Sequence, residues 1–247
     1  MKIAIIGYGR MGHAVEQEAL KRGHEIVCVI DLGGEDLFES DGFRSADVAI
    51  EFSVPAAGQS NVSRAMEAGV PVVCGTTGWL DGEALSAMRD ACAAGGSLLH
   101  SSNFSPGVNI TMAASRLLAR LLGARAEYSV GMEETHHIHK LDHPSGTAIT
   151  IADQICAEAP RYDRWMDTTG VDAPVPHDAI PIECRREGEV PGMHTVTWQG
   201  PSDIITLRHE ALNRDGFALG AVLAAEWLAK APRGHVYSMA DVLGIHS

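Results

Sequence analysis

The sequence predicts an α/β chain in two parts: a parallel sheet covered by helices on both faces, then an α+β region with an open mixed sheet. Three observations carry that expectation. Up to about residue 106, near-continuous apolar runs alternate with amphipathic stretches, the pattern of doubly buried strands joined by helices. Beyond it the apolar period shortens to two, the mark of strands with one buried face. Near the end, Gly216-Phe217-Ala218-Leu219-Gly220-Ala221-Val222-Leu223 is apolar on several sides, which requires a well-buried helix.

Strands are expected at 2–6, 25–30, 47–52, 70–74 and 97–100, with helices over 10–22, 56–68 and 81–94 between them. The stretch 31–46 is short and rich in Gly and acids, so its crossover helix is expected to be reduced or missing. A long helix runs from Pro106 to about Leu122. Alternating segments at 126–132, 179–185, 193–199 and 203–209 read as half-buried antiparallel strands, interrupted by a helix over about 145–158. Residues 160–178, rich in Pro, Asp and Arg, read as a surface excursion, and the last helix covers about 215–230. The domain expectation is therefore 1–107 with 215–247 as one domain and 108–214 as the other.

The chain of 247 residues carries a formal charge of −13, which repels nucleic acid and anionic membrane surfaces alike. No apolar run is long enough to span a bilayer, and Lys2-Ile3-Ala4-Ile5-Ile6 reads as a strand rather than a signal segment, so a cytoplasmic protein is expected. The five cysteines (Cys28, Cys74, Cys92, Cys156, Cys184) are widely spaced and read as buried free thiols. An acidic protein that binds a small anion must concentrate its cations. Lys140, one of only four lysines, sits in the densest histidine cluster of the chain.

Gly7-Tyr8-Gly9-Arg10-Met11-Gly12 is a G-x-G-x-x-G run that leaves a strand and opens a helix. In that setting the glycines permit a tight turn and close backbone approach, and the helix start offers N–H groups to a pyrophosphate. Asp31, at the end of the second strand, is placed to accept hydrogen bonds from ribose hydroxyls. This is a Rossmann-type signature; a glycine turn needed only for packing is the bland alternative. Two later loops, Gly75-Thr76-Thr77-Gly78 and Ser101-Ser102-Asn103-Phe104, also follow strands of this sheet, so both are expected to face the cofactor, although a plain turn accounts for G-T-T-G equally well on composition alone. Asp31 would repel the 2′-phosphate of NADPH, and the next basic residue is Arg44. NADH is therefore the expected preference, with NADPH possible.

The segment from Glu133 to Ala148 places four histidines and Lys140 among several carboxylates. One reading is a metal site, opposed by the absence of H-E-x-x-H or a partnering cysteine and by the charge of Lys140. A second is a polar surface loop. A third is an acid–base and anion site, in which histidine exchanges protons near neutral pH and Lys140 supplies a proton and a positive charge. Pro144 disfavours helix just before it, so 136–144 reads as a loop leading into a helix that begins at Ser145-Gly146-Thr147. The free N–H groups of that first turn suit a carboxylate.

This segment resembles the dihydrodipicolinate reductases, whose hallmark is a glutamate-led H-H-x-x-K followed by D-x-P-S-G-T-A. Here it reads His136-His137-Ile138-His139-Lys140, then Asp142-His143-Pro144-Ser145-Gly146-Thr147-Ala148. Further matches follow in order: the G-R-M-G run, Gly75 to Gly78, Asn103 to Asn109, Gly192 to Val196 and Arg214 to Ala221. The resemblance implies NAD(P)H-dependent reduction of a cyclic dicarboxylate in lysine and diaminopimelate biosynthesis. It implies His136 as acid–base residue, Lys140 as proton donor, His137 in contact with substrate, and Gly146 and Thr147 holding a carboxylate. Gly7 to Gly12, Asp31, Gly75 to Thr77 and Ser101 to Phe104 would hold the nucleotide. The implied fold is a Rossmann domain completed by the C-terminal helix, plus an α+β domain whose sheet joins four subunits. The chain departs from the family pattern in a glycine loop one residue shorter, an abbreviated 31–46 segment, and His143 in place of a small residue.

The implied chemistry is coherent: negative charge left on the conjugated nitrogen system by hydride addition is relieved by a nearby proton donor, an effect worth roughly 10²–10⁴-fold. Another Rossmann-type dehydrogenase of an amino or hydroxy acid, or a nucleotide-sensing module without turnover, are the competing readings.

Overall fold

The structure, a computed structural model, describes residues 1–171, 174–213 and 215–245. The elements in chain order are β1 (Lys2–Ile6), α1 (Arg10–Lys21), β2 (Glu25–Ile30), a 3-10 turn (Glu35–Glu39), α2 (Asp41–Arg44), β3 (Val48–Glu51), α3 (Pro55–Glu67), β4 (Val72–Cys74), α4 (Gly82–Ala93) and β5 (Leu98–His100). They continue with α5 (Pro106–Leu122), β6 (Ser129–His136), α6 (Gly146–Glu158), β7 (Arg164–Asp167), β8 (Ala179–Arg186), β9 (Met193–Gln199), β10 (Ile204–Glu210), α7 (Asp215–Leu228), β11 (Val236–Tyr237) and α8 (Met239–Leu243). Two compact units result: Met1–Asn109 with Asp215–Ser247, and Ile110–Arg214.

The first unit is a six-stranded parallel sheet in the order β11-β5-β4-β3-β1-β2. Its strands alternate between two cores. Ile3, Ile5, Val48 and Ile50 meet α1 and α7 on one face, while Ala4, Ile6, Ala49 and Val72 meet α3 and α4 on the other. Each fully buried isoleucine contributes about 1.5–3 kcal/mol, and burial on both faces explains the unbroken apolar runs. The helix α7 approaches so closely that a Cβ on Gly220 would lie 1.7 Å from the Phe104 carbonyl oxygen. The crossover after β2 shrinks to the 3-10 turn and the four-residue α2, whose Phe38 and Phe43 cap the second core.

The second unit is a five-stranded sheet in the order β10-β9-β6-β8-β7. Its apolar face, including Val130, Met132, Ile180, Ile182, Val196 and the fully buried Trp198, packs under Ile151 and Ile155 of α6. The opposite face carries Thr195, Thr197 and Thr206 with ion pairs such as Arg185–Glu133 at 2.9 Å. The strands at 193–199 and 204–210 are antiparallel, but β8 runs parallel to both β6 and β7, so the sheet is mixed as expected while the antiparallel reading of 179–185 is corrected. Two-residue alternation reports which face is buried; it carries no information on strand direction.

Three further corrections follow. The stretch 160–178 contains an edge strand, β7, whose four residues are too few for periodicity to register. β11 and α8 lie beyond the last expected element. Finally, the strand expected to end at 132 runs on to His136, because Pro144 restrains only its immediate predecessor and leaves residues up to His136 free to pair with β8 and β9. Among the described residues no helix is long and apolar enough to cross a membrane. All five cysteines are free; Cys74, Cys92 and Cys184 are buried, whereas Cys28 and Cys156 are partly exposed.

Candidate active site

In the first unit β1 stands between β2 and β3, so the chain crosses over in opposite directions on either side of it. At such a switch point the loops splay apart and leave a crevice at the carboxyl ends of the strands. Two adjoining clefts lie there. One is lined by Gly7, Tyr8, Gly9, Asp31, Leu32, Glu35, Ser53 and Asn61, the other by Gly9, Arg10, Met11, Ser53, Gly75, Thr76 and Thr77. Gly7 has φ +86°, and a Cβ on it would sit 2.2 Å from the Phe52 carbonyl oxygen, so this turn admits glycine alone. Gly12 packs against the same turn, its would-be Cβ 2.3 Å from the Gly7 oxygen, and lines neither cleft. Open space faces Gly9, the N-cap of α1, and no side chain caps that helix. Its first N–H groups are thus available to an anion, and a dinucleotide pyrophosphate fits.

The loops around this crevice are tied by a buried carboxylate. Glu51, fully buried at the end of β3, accepts hydrogen bonds from the Ser53 N–H (3.2 Å), the Ser53 hydroxyl and the Cys74 thiol (3.0 Å). The Ser53 N–H also reaches Thr76 Oγ1 at 2.8 Å, joining the loops after β3 and β4. Burial, and then the Glu51 charge, push the Cys74 thiol far above its ordinary range, so it is an inert donor. Ser101, Ser102, Asn103 and Phe104 line neither cleft. Phe104 is core, with its ring 5.6 Å from Phe52, and the Asn103 side chain accepts from the Ser105 N–H at 2.9 Å.

In the second unit the histidine–lysine segment folds around Glu134. Residues 130, 132, 134 and 136 of β6 share one sheet face, and the register sets Glu134 opposite His194 and Cys184, and His136 opposite Arg186. Glu134 is 1% exposed. Both its oxygens accept the Ser145 N–H at 3.1 Å, Arg186 Nη2 donates to Oε1 at 3.0 Å, and His136 Nδ1 lies 3.3 Å from Oε2. That last approach is close enough for charge pairing but too oblique for a formed hydrogen bond. Burial works to raise the Glu134 carboxyl, but His136, the Ser145 N–H and Arg186 outweigh it and hold the group far below the usual carboxylate range. His194 stacks edge-on to His136 (centroids 5.1 Å) and meets the Ser145 hydroxyl at 3.1 Å. Burial, then the neighbouring His136, depress His194 to about 4, so it is neutral near pH 7.

His136 closes the strand, 8% exposed, and a side chain on Gly192 would meet its Nε2 at 3.0 Å. His137 and Lys140 follow in a turn closed by the Lys140 N–H and the His137 carbonyl at 3.1 Å; Lys140 Nζ rests on Asp142 Oδ1 at 2.8 Å. The Ser145 hydroxyl caps α6 through the Ala148 N–H at 3.2 Å. Because the Ser145 N–H is committed inward to Glu134, the expectation that it is free for a substrate carboxylate is corrected. The N–H groups of Gly146 and Thr147 make no hydrogen bond among the described residues, and Gly146 is exposed with open space before it. Glu134, His136 and His194 also place donor atoms within 4.8 Å of one another, a set that could hold a metal ion. Arg186 already supplies the positive charge that a metal would bring there.

Sequence reasoning passed over Glu134, Arg186, His194 and Gly192, and in the first unit Glu35, Ser53 and Asn61. The available signal was the two-residue spacing of Glu134 and His136, which puts a carboxylate and an imidazole on one face of any strand.

The family model for dihydrodipicolinate reductase, N-terminus, matches residues 1–104, and that for dihydrodipicolinate reductase, C-terminus, matches 107–243. The chain belongs to the dihydrodipicolinate reductase family. Within it, the chain is 44% identical to the 4-hydroxy-tetrahydrodipicolinate reductase of Christiangramia forsetii, covering 98% of each chain. It is 41% identical to that of Methanopyrus kandleri, over 81% of this chain and 72% of the relative. A solved dipicolinate-bound dihydrodipicolinate reductase from Paenisporosarcina sp. TG-14 shares the fold with TM-score 0.81, covering 98% of each chain at 21% identity. The dihydrodipicolinate reductase hallmark spans β6, the turn after it and the first residues of α6, so the motif is the Glu134-centred corner just described.

Proposed function

We infer that this chain reduces 4-hydroxy-tetrahydrodipicolinate to tetrahydrodipicolinate with NAD(P)H, the 4-hydroxyl leaving as water, in lysine and diaminopimelate biosynthesis. Membership of the dihydrodipicolinate reductase family supports the activity. The observation that carries the site is the corner built around Glu134 in a chain of net charge −13, where His136 and the start of α6 meet one carboxylate, with His137 and Lys140 in the turn between them. A dicarboxylate needs such a local concentration of positive potential. In this reading Gly146 and Thr147 hold one carboxylate, His137 contacts substrate, and Lys140 delivers the proton, with His136 in acid–base exchange beside Glu134. Bound in the first unit by Gly7, Tyr8, Gly9, Arg10, Met11, Asp31, Thr76 and Thr77, NAD(P)H supplies the hydride. The direct test follows nicotinamide absorbance with freshly generated synthase product. Turnover is expected, and no consumption of either nucleotide by the folded protein would remove the reading.

NADH is the proposed preference. Asp31 and Glu35 line the same cleft, so a 2′-phosphate would meet two carboxylates. Arg64, beside that cleft, is turned to other partners: it donates to the Glu35 carbonyl at 2.7 Å and stacks on Phe38 at 4.5 Å. One such repulsion of about 1.4 kcal/mol is a tenfold effect. We expect kcat/KM at least about tenfold higher with NADH; parity with NADPH would show the charge argument wrong. The polar, uncovered face of the second sheet is the proposed contact for a homotetramer, and a sedimentation mass of four chains at micromolar concentration is expected, against one chain if the proposal fails.

A further inference from the structure

We propose that Arg186 is a positioning residue for the reduction: its single guanidinium fixes the loop that carries Lys140 and the buried carboxylate of Glu134 in one frame. All of its contacts lie within the second unit. Nε donates to the Lys140 carbonyl at 3.2 Å, and Nη2 donates to the Asp142 carbonyl at 2.5 Å and to Glu134 Oε1 at 3.0 Å. Nη1 donates to the Arg185 carbonyl at 2.7 Å, which anchors the fork to the end of β8. The fork therefore grips both ends of the tripeptide Lys140-Leu141-Asp142.

That tripeptide has little else to hold it. Leu141 is 92% exposed, so no apolar burial fixes the loop. Among the described residues its own further restraints are the turn bond from the Lys140 N–H to the His137 carbonyl and the ion pair between Lys140 and Asp142, a partner that moves with the loop; the loop before it is tied by the Ile138 N–H to the Gly188 carbonyl at 3.1 Å and by His139 to Glu189 at 3.2 Å. Through Glu134 the same guanidinium also reaches the Ser145 N–H at the start of α6 and the edge of His136. One side chain thus sets the relative places of the proposed proton donor, the acid–base histidine and the helix start. The arrangement demands a planar fork of fixed donors. Lysine, with one ammonium on a flexible stem, keeps the charge and loses the fork. Arg186 is given no contact with substrate; it acts through Lys140, whose long stem sweeps a wide arc unless its backbone is pinned. Misplacing a reacting group by about 1 Å can cost on the order of 10²-fold in rate.

This role rests on the reading of Lys140 as proton donor, and the experiment separates the two. Measure kcat, KM, NADH affinity and thermal midpoint for Arg186→Lys, Arg186→Ala, Lys140→Ala and the Arg186→Lys/Lys140→Ala pair. We expect Arg186→Lys to fold, to keep its NADH affinity and to lose about 10–100-fold in kcat. In the Lys140→Ala background the same change should cost clearly less than in the unaltered protein, because the proton donor it pins is gone and only its hold through Glu134 remains. Millimolar guanidinium is expected to restore part of the kcat of Arg186→Ala. If Arg186→Ala does not fold, Arg186→Lys and the pair carry the test. Near-normal kcat in Arg186→Lys overturns the proposal, as does a pair whose losses multiply, the behaviour of a merely structural residue. Near-normal kcat in Lys140→Ala overturns the proton-donor reading and this role with it.

Discussion

Lys140→Ala is expected to lower kcat by roughly 10²–10⁴-fold while leaving NADH affinity near that of the unaltered protein. The proposed donor acts only as charge develops on the substrate, so its loss falls on the transition state rather than on the ground state. The dinucleotide clefts belong to the first unit, whereas Lys140 belongs to the second. His137→Ala should act mainly through KM, because holding a carboxylate serves ground and transition states alike. His136→Ala should resemble the lysine variant and flatten one limb of the pH–rate profile. A metal centre would instead make the unaltered protein sensitive to chelator. Normal kcat in Lys140→Ala would sink the mechanism even with the reductase activity intact.

Glu134→Ala should be the most destabilising single change in the second unit. It strands Arg186, whose side chain is 13% exposed, and orphans the buried Ser145 N–H. Removing one partner of a buried ion pair costs about 3–5 kcal/mol, and each kcal/mol lowers the midpoint of a chain this size by about 2–4 °C. A fall of about 10 °C is expected. Glu134→Ala/Arg186→Met should recover much of it, since no unpaired charge then remains. A single variant within about 2 °C of the unaltered protein would show that Glu134 does not hold this corner together.

The same cluster gives stability a definite dependence on pH. Buried His194 stays neutral in the folded state down to about 4, whereas the unfolded chain takes up the proton near 6.5. The unfolded state therefore binds more protons between pH 6.5 and 4, and stability falls as pH drops through that window. Glu134, held below its ordinary 4.5, acts in the same sense: its contribution is full above that value and is lost as pH falls below it. His194→Gln should flatten the decline between pH 6.5 and 4, a difference of up to about 3 kcal/mol. An unchanged slope would place the acid sensitivity elsewhere.

The nucleotide half of the site was legible because its signals are local. A doubly apolar strand, a glycine turn and an amphipathic helix lie in succession from Lys2 to Lys21, and the spacing to Asp31 needs no partner from elsewhere. The Gly75-to-Thr77 loop was legible for the same reason, being simply the end of an apolar strand. Ser101 to Phe104 follow a strand equally well, yet no sequence pattern shows that Phe104 turns inward against Phe52. His136, His137 and Lys140 announced themselves by chemical type in a chain with only four lysines. The strand that carries His136 was legible only as far as residue 132, because its last residues are polar, are buried by pairing and have no apolar period to detect.

By itself, then, the sequence determined most of the strands and helices, the glycine turn, the acid at the end of the second strand and the histidine–lysine segment. Each depends on residues within a few positions of one another. The tertiary structure alone decided which groups are spent and which are free. Glu134 is claimed by Arg186, 52 residues onward, and His194 and Ser145 meet across the sheet and the start of α6. A hydrogen bond or ion pair between distant strands is fixed by register and by the direction in which each strand runs. Parallel pairing of β6 with β8 and antiparallel pairing with β9 bring Arg186 and His194 to the same carboxylate. No periodicity along one segment encodes that convergence, because it belongs to the packing of three strands at once.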